Sequence, residues 1–191
     1  LFRSGAEKVD LKSLRTVVVG AEKCGDDVRT IFREKAPQAQ ILEGYGITEC
    51  SPVVTINPPD RPKEGTVGVF IEGLEGCIAS LDTKEILPRE KEGMIYVGGE
   101  SIFRGYLDKG LDSPFEDIGG KTYYRTGDLG FLDTDGYLTI TGRLKRFIKI
   151  AGEMISLPFI ETLLLEKYGD PEEVVLAVEG SDTVEIGRAH V

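Results

Sequence analysis

Chemistry in this 191-residue chain concentrates in a few short stretches, the densest being Leu42-Glu43-Gly44-Tyr45-Gly46-Ile47-Thr48-Glu49, directly after an apolar run. Its two glycines let backbone approach a ligand closely. Tyr45 offers a flat face for a base, Thr48 a hydroxyl for a phosphate oxygen, and Glu49 a hard carboxylate suited to Mg2+. A nucleotide satisfies all four; the plainer reading is a Gly-rich turn around a half-buried tyrosine. Farther along, Tyr124-Arg125-Thr126-Gly127-Asp128 sets a carboxylate after a Gly turn. It is placed to accept hydrogen bonds from both hydroxyls of a ribose, or simply to begin a hairpin. Gly142-Arg143-Leu144-Lys145-Arg146-Phe147-Ile148-Lys149 brings four cations into seven residues of an acidic chain, which marks an anion site or a solvated turn.

The elements that must position these residues follow from periodicity. The β-branched run Thr16 to Val19, an amphipathic stretch from Asp26 to Lys35 with Val28, Ile31 and Phe32 inward, and the run Ala39 to Leu42 predict a β-α-β unit with a parallel strand pair. The passage Asn57-Pro58-Pro59-Asp60-Arg61-Pro62 cannot continue a helix or a central strand, so a subdomain boundary is placed there. Beyond it, short apolar runs at Thr66 to Ile71, Cys77 to Leu81, Met94 to Val97, Leu129 to Leu132 and Tyr137 to Thr141 read as a small, mostly antiparallel sheet or barrel. Asp133-Thr134-Asp135-Gly136 is a hairpin turn signal between the last two. The runs Arg146 to Ile150 and Met154 to Ser156 flank a turn at Ala151-Gly152-Glu153; a helix over Pro158 to Tyr168 and a strand over Val174 to Val178 follow. The predicted fold class is α/β with a β-rich part: the end of a large α/β subdomain over 1–58, a β-barrel-like subdomain over 59–144, and the start of a C-terminal α/β lobe over 145–184.

Composition narrows the function classes. Lys and Arg number 23 against 33 Asp and Glu, a net charge of −10, which disfavours a nucleic-acid binder because that affinity comes from cations neutralising phosphates. No stretch approaches the ~18 consecutive apolar residues of a membrane span. Three cysteines, Cys24, Cys50 and Cys77, without a CxxC pair suggest neither a disulfide framework nor a zinc site, and a reducing cytosol fits best. Both ends are expected to be cut, since Leu1 is no initiator and Thr16 to Val19 has no strand before it to pair with. Glu185-Ile186-Gly187-Arg188-Ala189-His190-Val191 reads like a translated sequencing adapter, so the tail 185–191, with the only histidine, is expected to be non-native.

Taken in order, the motifs resemble a known family. Val19-Gly20-Ala21-Glu22, Glu43 through Glu49, Gly93-Met94-Ile95-Tyr96-Val97-Gly98-Gly99 with Gly105-Tyr106, Tyr124 through Asp128, and Gly142-Arg143 through Glu161 look like the core motifs of the AMP-forming adenylate-forming enzymes. That superfamily includes acyl-CoA synthetases, luciferases and peptide-synthetase adenylation domains. Within it, Gly20-Ala21-Glu22, Leu42 through Cys50 and Lys149 through Leu157 resemble the bacterial branch that makes acyl-acyl-carrier-protein, often fused to a 2-acylglycerophosphoethanolamine acyltransferase.

The resemblance implies a two-step ligase. A fatty carboxylate attacks the α-phosphate of MgATP to give acyl-adenylate and pyrophosphate, then the phosphopantetheine thiol of acyl carrier protein, or coenzyme A, displaces AMP. By motif match Tyr45 would stack on adenine, Thr48 contact the α-phosphate and Glu49 hold Mg2+. Asp128 and Arg143 would grip the ribose. Gly20, Ala21 and Gly44, with Glu43 beside them in the nucleotide-binding stretch, would lie where the adenine edge and acyl chain pass. Lys145 matches the hinge of the C-terminal lobe, and Lys149 the lysine brought in for the thioester step. The expected place is the cytoplasm, with the inner face of the membrane reached through the rest of the parent.

The chain also departs from the family. The Ser/Thr/Gly-rich phosphate loop and the lysine used for adenylation are absent, Met94 replaces the usual Glu of a Gly-Glu-Leu stretch, and the acyltransferase's His-x4-Asp pair is missing. This predicts a piece of a ligase that is inactive alone. The alternative is a non-catalytic regulatory module that binds AMP or ATP.

Overall fold

The computed structural model describes residues 11–21, 24–108, 110–150, 153–168, 177–178 and 189–190. It divides the chain into two compact units, Leu1–Thr126 with Gly130–Ile140, and Gly127–Leu129 with Thr141–Val191.

The first unit begins with the expected β-α-β unit. β1 (Thr16–Val19) runs parallel to β2 (Gln40–Gly46), in register from Thr16 opposite Gln40 to Val19 opposite Glu43. Between them α1 (Asp26–Lys35) carries Asp26 and Asp27 in its first turn and Arg33 and Lys35 in its last, the arrangement that the helix dipole favours, and buries Phe32. β3 (Val53–Ile56) turns back along β2, and β4 (Val69–Phe70) completes the sheet in the order β1-β2-β3-β4. β2 outruns the expected Ala39 to Leu42. Gly44 and Tyr45 find ladder partners in Ile56 and Thr55, and a bulge at Tyr45/Gly46 ends the regular pairing, so five of the motif's eight residues lie inside the strand.

The Pro-rich passage connects β3 to β4 and is organised by Asn57. This buried side chain donates from Nδ2 to the Thr66 carbonyl at 2.8 Å and accepts from the Lys63 N–H at 2.9 Å.

A second sheet comprises β5 (Leu74–Ala79), β6 (Gly93–Gly99), β7 (Phe115–Ile118), β8 (Lys121–Leu132) and β9 (Leu138–Arg143), in the order β5-β6-β8-β7 with β9 against β8. Its β5–β6 and β7–β8 pairs are antiparallel, as expected, but the path is open and no closed barrel forms among the described residues. β7 was not anticipated, and β8 is far longer than Leu129 to Leu132. Gly119 and Gly120, with φ of 61° and 84°, make the two-residue turn between them. The Asp133 turn forms as expected, its carboxylate accepting from the N–H groups of Asp135 and Tyr137 at 2.9 Å each. Met94 is 1% exposed on β6, consistent with a strand position that needs no polar group. One apolar cluster of Tyr45, Val54, Leu74, Ile95, Tyr124 and Leu138 joins both sheets.

In the second unit a 3-10 turn (Leu144–Arg146) leads into the hairpin of β10 (Phe147–Ile150) and β11 (Glu153–Ser156), then α2 (Leu157–Tyr168), with Pro158 in its first turn where the missing N–H is harmless. Arg146 Nη2 donates to both carboxylate oxygens of Glu161 at 2.6 Å. β12 (Ala177–Val178) pairs with β13 (Ala189–His190). The predicted turn residues Ala151 and Gly152, the strand positions Val174 to Leu176 and the tail residues 185–188 and 191 lie outside the described residues. No helix of the described residues is long and apolar enough to cross a membrane.

Candidate functional site

The carboxyl ends of the parallel strands β1 and β2 bring two of the predicted stretches side by side, the position at which open α/β sheets receive ligands. Gly20 leaves β1 against β2: a Cβ there would come within 3.1 Å of the Gly44 carbonyl oxygen, and one on Gly44 within 3.0 Å of the Thr55 carbonyl oxygen. The structure thus gives these glycines neighbours in the protein's own backbone. Ala21 follows with φ 71°, a left-handed conformation that costs a non-glycine residue about 1–3 kcal/mol and clusters at functional sites. Glu22 lies outside the described residues.

Glu43 holds this corner together. Its carboxylate accepts from Arg29 Nη2 of α1 and, at 3.4 Å, from the Cys24 N–H, so the helix is tied to the strand by a pair whose side chains are 15% and 12% exposed. Tyr45, one residue past Gly44, is 8% exposed and packed within the apolar cluster. The chain then makes a 3-10 turn (Thr48–Cys50), closed by Ser51 at φ 64°. Thr48 is exposed and Glu49 half-buried.

Sequence reasoning missed what Glu49 meets. Its Oε1 accepts the Tyr106 hydroxyl at 2.7 Å, and its carbonyl accepts the Phe103 N–H at 2.8 Å. Ser51 Oγ donates to the Ser101 carbonyl at 2.8 Å, and Ser101 Oγ to the Cys50 carbonyl at 3.3 Å. The segment 101–106 is therefore fastened to the turn at four points. In the sequence, Gly105-Tyr106 stands out only as part of a motif. Burial, with the Glu49 charge beside it, pushes the Cys50 thiol up to about 11, so it stays protonated at neutral pH and is no nucleophile.

Glu49 fits Mg2+ in a limited sense. Among the described residues no group of three or more His, Cys, Asp or Glu could hold a metal. A single carboxylate suits Mg2+ when phosphates and water complete its octahedron, so the ion would arrive with a nucleotide.

In the second unit, Asp128 is buried at 4% exposure, directly after Gly127 at φ 79°. Arg143 Nε lies 3.1 Å from Asp128 Oδ1, its own side chain 70% exposed. The two predicted ribose ligands are thus brought together as an ion pair with the cation open to solvent. Lys145 is exposed in the 3-10 turn, four residues past the start of the 141–191 segment. Lys149 lies on β10, opposite Met154 of β11.

The profile of a family described as AMP-binding enzyme matches residues 1–107. 4-Coumarate–CoA ligase 1 of Petroselinum crispum is 36% identical over 164 residues, covering 83% of this chain and 30% of that protein. Among solved structures, a long-chain-fatty-acid-CoA ligase from Archaeoglobus fulgidus superposes with a TM-score of 0.68 at 27% identity, covering 98% of this chain and 36% of its own. ATP-bound MatB from Rhodopseudomonas palustris does so with 0.66 at 32% identity, covering 84% and 31%. The chain spans about a third of the length of these relatives.

Proposed function

Because this chain belongs to the AMP-binding enzyme family, we propose that it is part of an ATP-dependent, AMP-forming acid–thiol ligase. The observation that carries the reading is the corner at the ends of β1 and β2, where Gly20, Ala21 and Gly44 adjoin a turn bearing Thr48 and Glu49.

The chemistry asks little of acids and bases. A carboxylate attacks the α-phosphorus of ATP and pyrophosphate leaves, so catalysis rests on positioning and on positive charge near the phosphates. Glu49 would hold Mg2+, which when bound neutralises phosphate charge. Thr48 would donate its exposed hydroxyl to an α-phosphate oxygen. Tyr45 would contact adenine with what remains open of its ring, and Glu43, already engaged by Arg29, would fix the strand beneath it. In the second unit the Asp128 carboxylate would accept from ribose hydroxyls, with Arg143 swinging from its ion pair to donate to them. Lys145 would serve as the hinge and Lys149 would enter for thioester formation.

Two of the relatives named above are CoA ligases by name, one of 4-coumarate and one of long-chain fatty acids. The finer reading for this chain is a fatty acid joined to the phosphopantetheine thiol of acyl carrier protein in a cytoplasmic fatty-acid recycling reaction; it rests on the motif resemblance alone. Coenzyme A and acyl carrier protein present the same thiol. The test is acid-dependent pyrophosphate release by the full-length protein, with long-chain and aromatic acids and with each thiol carrier. Acid-dependent release supports the ligase reading, and the acid and carrier that raise turnover choose among its finer forms. ATP binding without acid-dependent release would overturn it in favour of a regulatory module.

A further inference from the structure

The segment Ser101–Tyr106 reaches the 3-10 turn from far along the chain, and it ends on the carboxylate rather than beside it. Tyr106 Oη lies 2.7 Å from Glu49 Oε1, across 57 residues of sequence. The Tyr124 hydroxyl in turn meets that of Tyr106, so two phenols stand in series behind the carboxylate. Tyr124 is buried, while Tyr106, 45% exposed, is braced on one side. Phe103 sits edge-on to Tyr106 at 4.9 Å between centroids and to Tyr124 at 5.6 Å, and Phe115 edge-on to Tyr124 at 6.0 Å. The carbonyl of Glu49 is held separately by the Phe103 N–H at 2.8 Å.

We infer that Tyr106 is a positioning residue for the metal-binding carboxylate: its hydroxyl fixes Glu49 through Oε1 and leaves Oε2 presented to a divalent cation carried by a nucleotide. The inference rests on the reading of Glu49 as the metal ligand. Its physical reason is that a glutamate on a short turn has three soft torsions. A cation site made from one carboxylate loses affinity if that carboxylate must be ordered on binding. A phenol anchored in an aromatic cluster orders it beforehand. Tyr106 touches neither nucleotide nor acid in this assignment and acts only through Glu49. A purely structural role for the same hydroxyl would be fastening the 101–106 segment, a task that the three other hydrogen bonds to the turn already share.

The test is a double-mutant cycle in the full-length protein, read by Mn2+ electron paramagnetic resonance in the presence of ATP, with metal-free AMP affinity measured alongside. Tyr106→Phe is expected to weaken Mn2+ binding to the protein–ATP complex by about tenfold or more, the range for outer-shell partners of metal ligands, while metal-free AMP affinity stays unchanged. In a Glu49→Gln background the same substitution is expected to change nothing further. Equal effects in both backgrounds, or an equal loss of metal-free AMP binding, would overturn the positioning role while leaving Glu49 as ligand. If Glu49→Gln itself leaves Mn2+ binding intact, the reading of Glu49 as ligand fails, and this inference with it.

Discussion

The Glu49 corner and the Asp128–Arg143 pair are both built around a carboxylate, yet they are held in opposite ways. Glu49 is clasped by a hydrogen-bonded segment, and Glu43, on the strand before it, is paired with Arg29 at side-chain exposures of 12% and 15%. Asp128 is buried, but its cation Arg143 is 70% exposed. Removing one partner of a covered pair strands the other charge and costs kilocalories, whereas an exposed cation adds little of its own. The comparison teaches that the carboxylate of the first corner is held by several hydrogen bonds, whereas that of the second is paired with an arginine largely open to solvent.

Four substitutions break or sharpen that contrast. Arg29→Met strands the Glu43 carboxylate at 12% exposure without its cation, and is expected to destabilise the first unit by about 3 kcal/mol in urea unfolding. A loss below ~1 kcal/mol would show that the corner is not ordered by this pair. Asp128→Ala in the full-length protein should weaken ATP use by ~1–3 kcal/mol, the scale of hydrogen bonds to a charged group, read from the ATP dependence of pyrophosphate release. Unchanged ATP dependence would remove Asp128 from the site.

The third substitution concerns acid. Burial pushes the Asp133 carboxyl up, but the Lys63 ammonium at 2.5 Å and the N–H groups of Tyr137 and Asp135 outweigh it and hold the group below its ordinary value. A carboxylate lowered on folding adds stability above its unfolded value and loses it as pH falls through the folded one. Asp133→Asn should therefore lower the first unit's unfolding temperature at pH 7 and flatten its decline below about pH 4. An unaltered acid slope would contradict this. The smallest effect is expected for Arg143→Gln, about 1 kcal/mol, because the largely solvated guanidinium adds little itself and the cost comes from the buried Asp128 carboxylate it leaves. A larger cost in thermal unfolding would mean that the pair is structural.

How much of this was legible in the sequence depends on how local the governing interaction is. α1 over Asp26–Lys35 and the turn at Asp133 were readable because helical periodicity and the Asp-Gly turn chemistry are complete within a few residues. β2 was cut short at Leu42 because glycines weaken a strand pattern, and only pairing with Ile56 and Thr55 carries the strand through them. β7 was missed although Gly119-Gly120 marks its hairpin, because the run Phe115–Ile118 has two acidic residues in four. The candidate site residues themselves are visible as types and spacings. Their partners, Arg29 for Glu43 and Tyr106 for Glu49, are not, since neither contact leaves a periodic trace across 14 or 57 positions.

The most direct test of the account is an AMP titration of the full-length protein followed residue by residue by nuclear magnetic resonance. The account predicts that Ala21, Thr48 and Glu49 shift together on one saturable binding curve. Saturable shifts confined to other residues would contradict it.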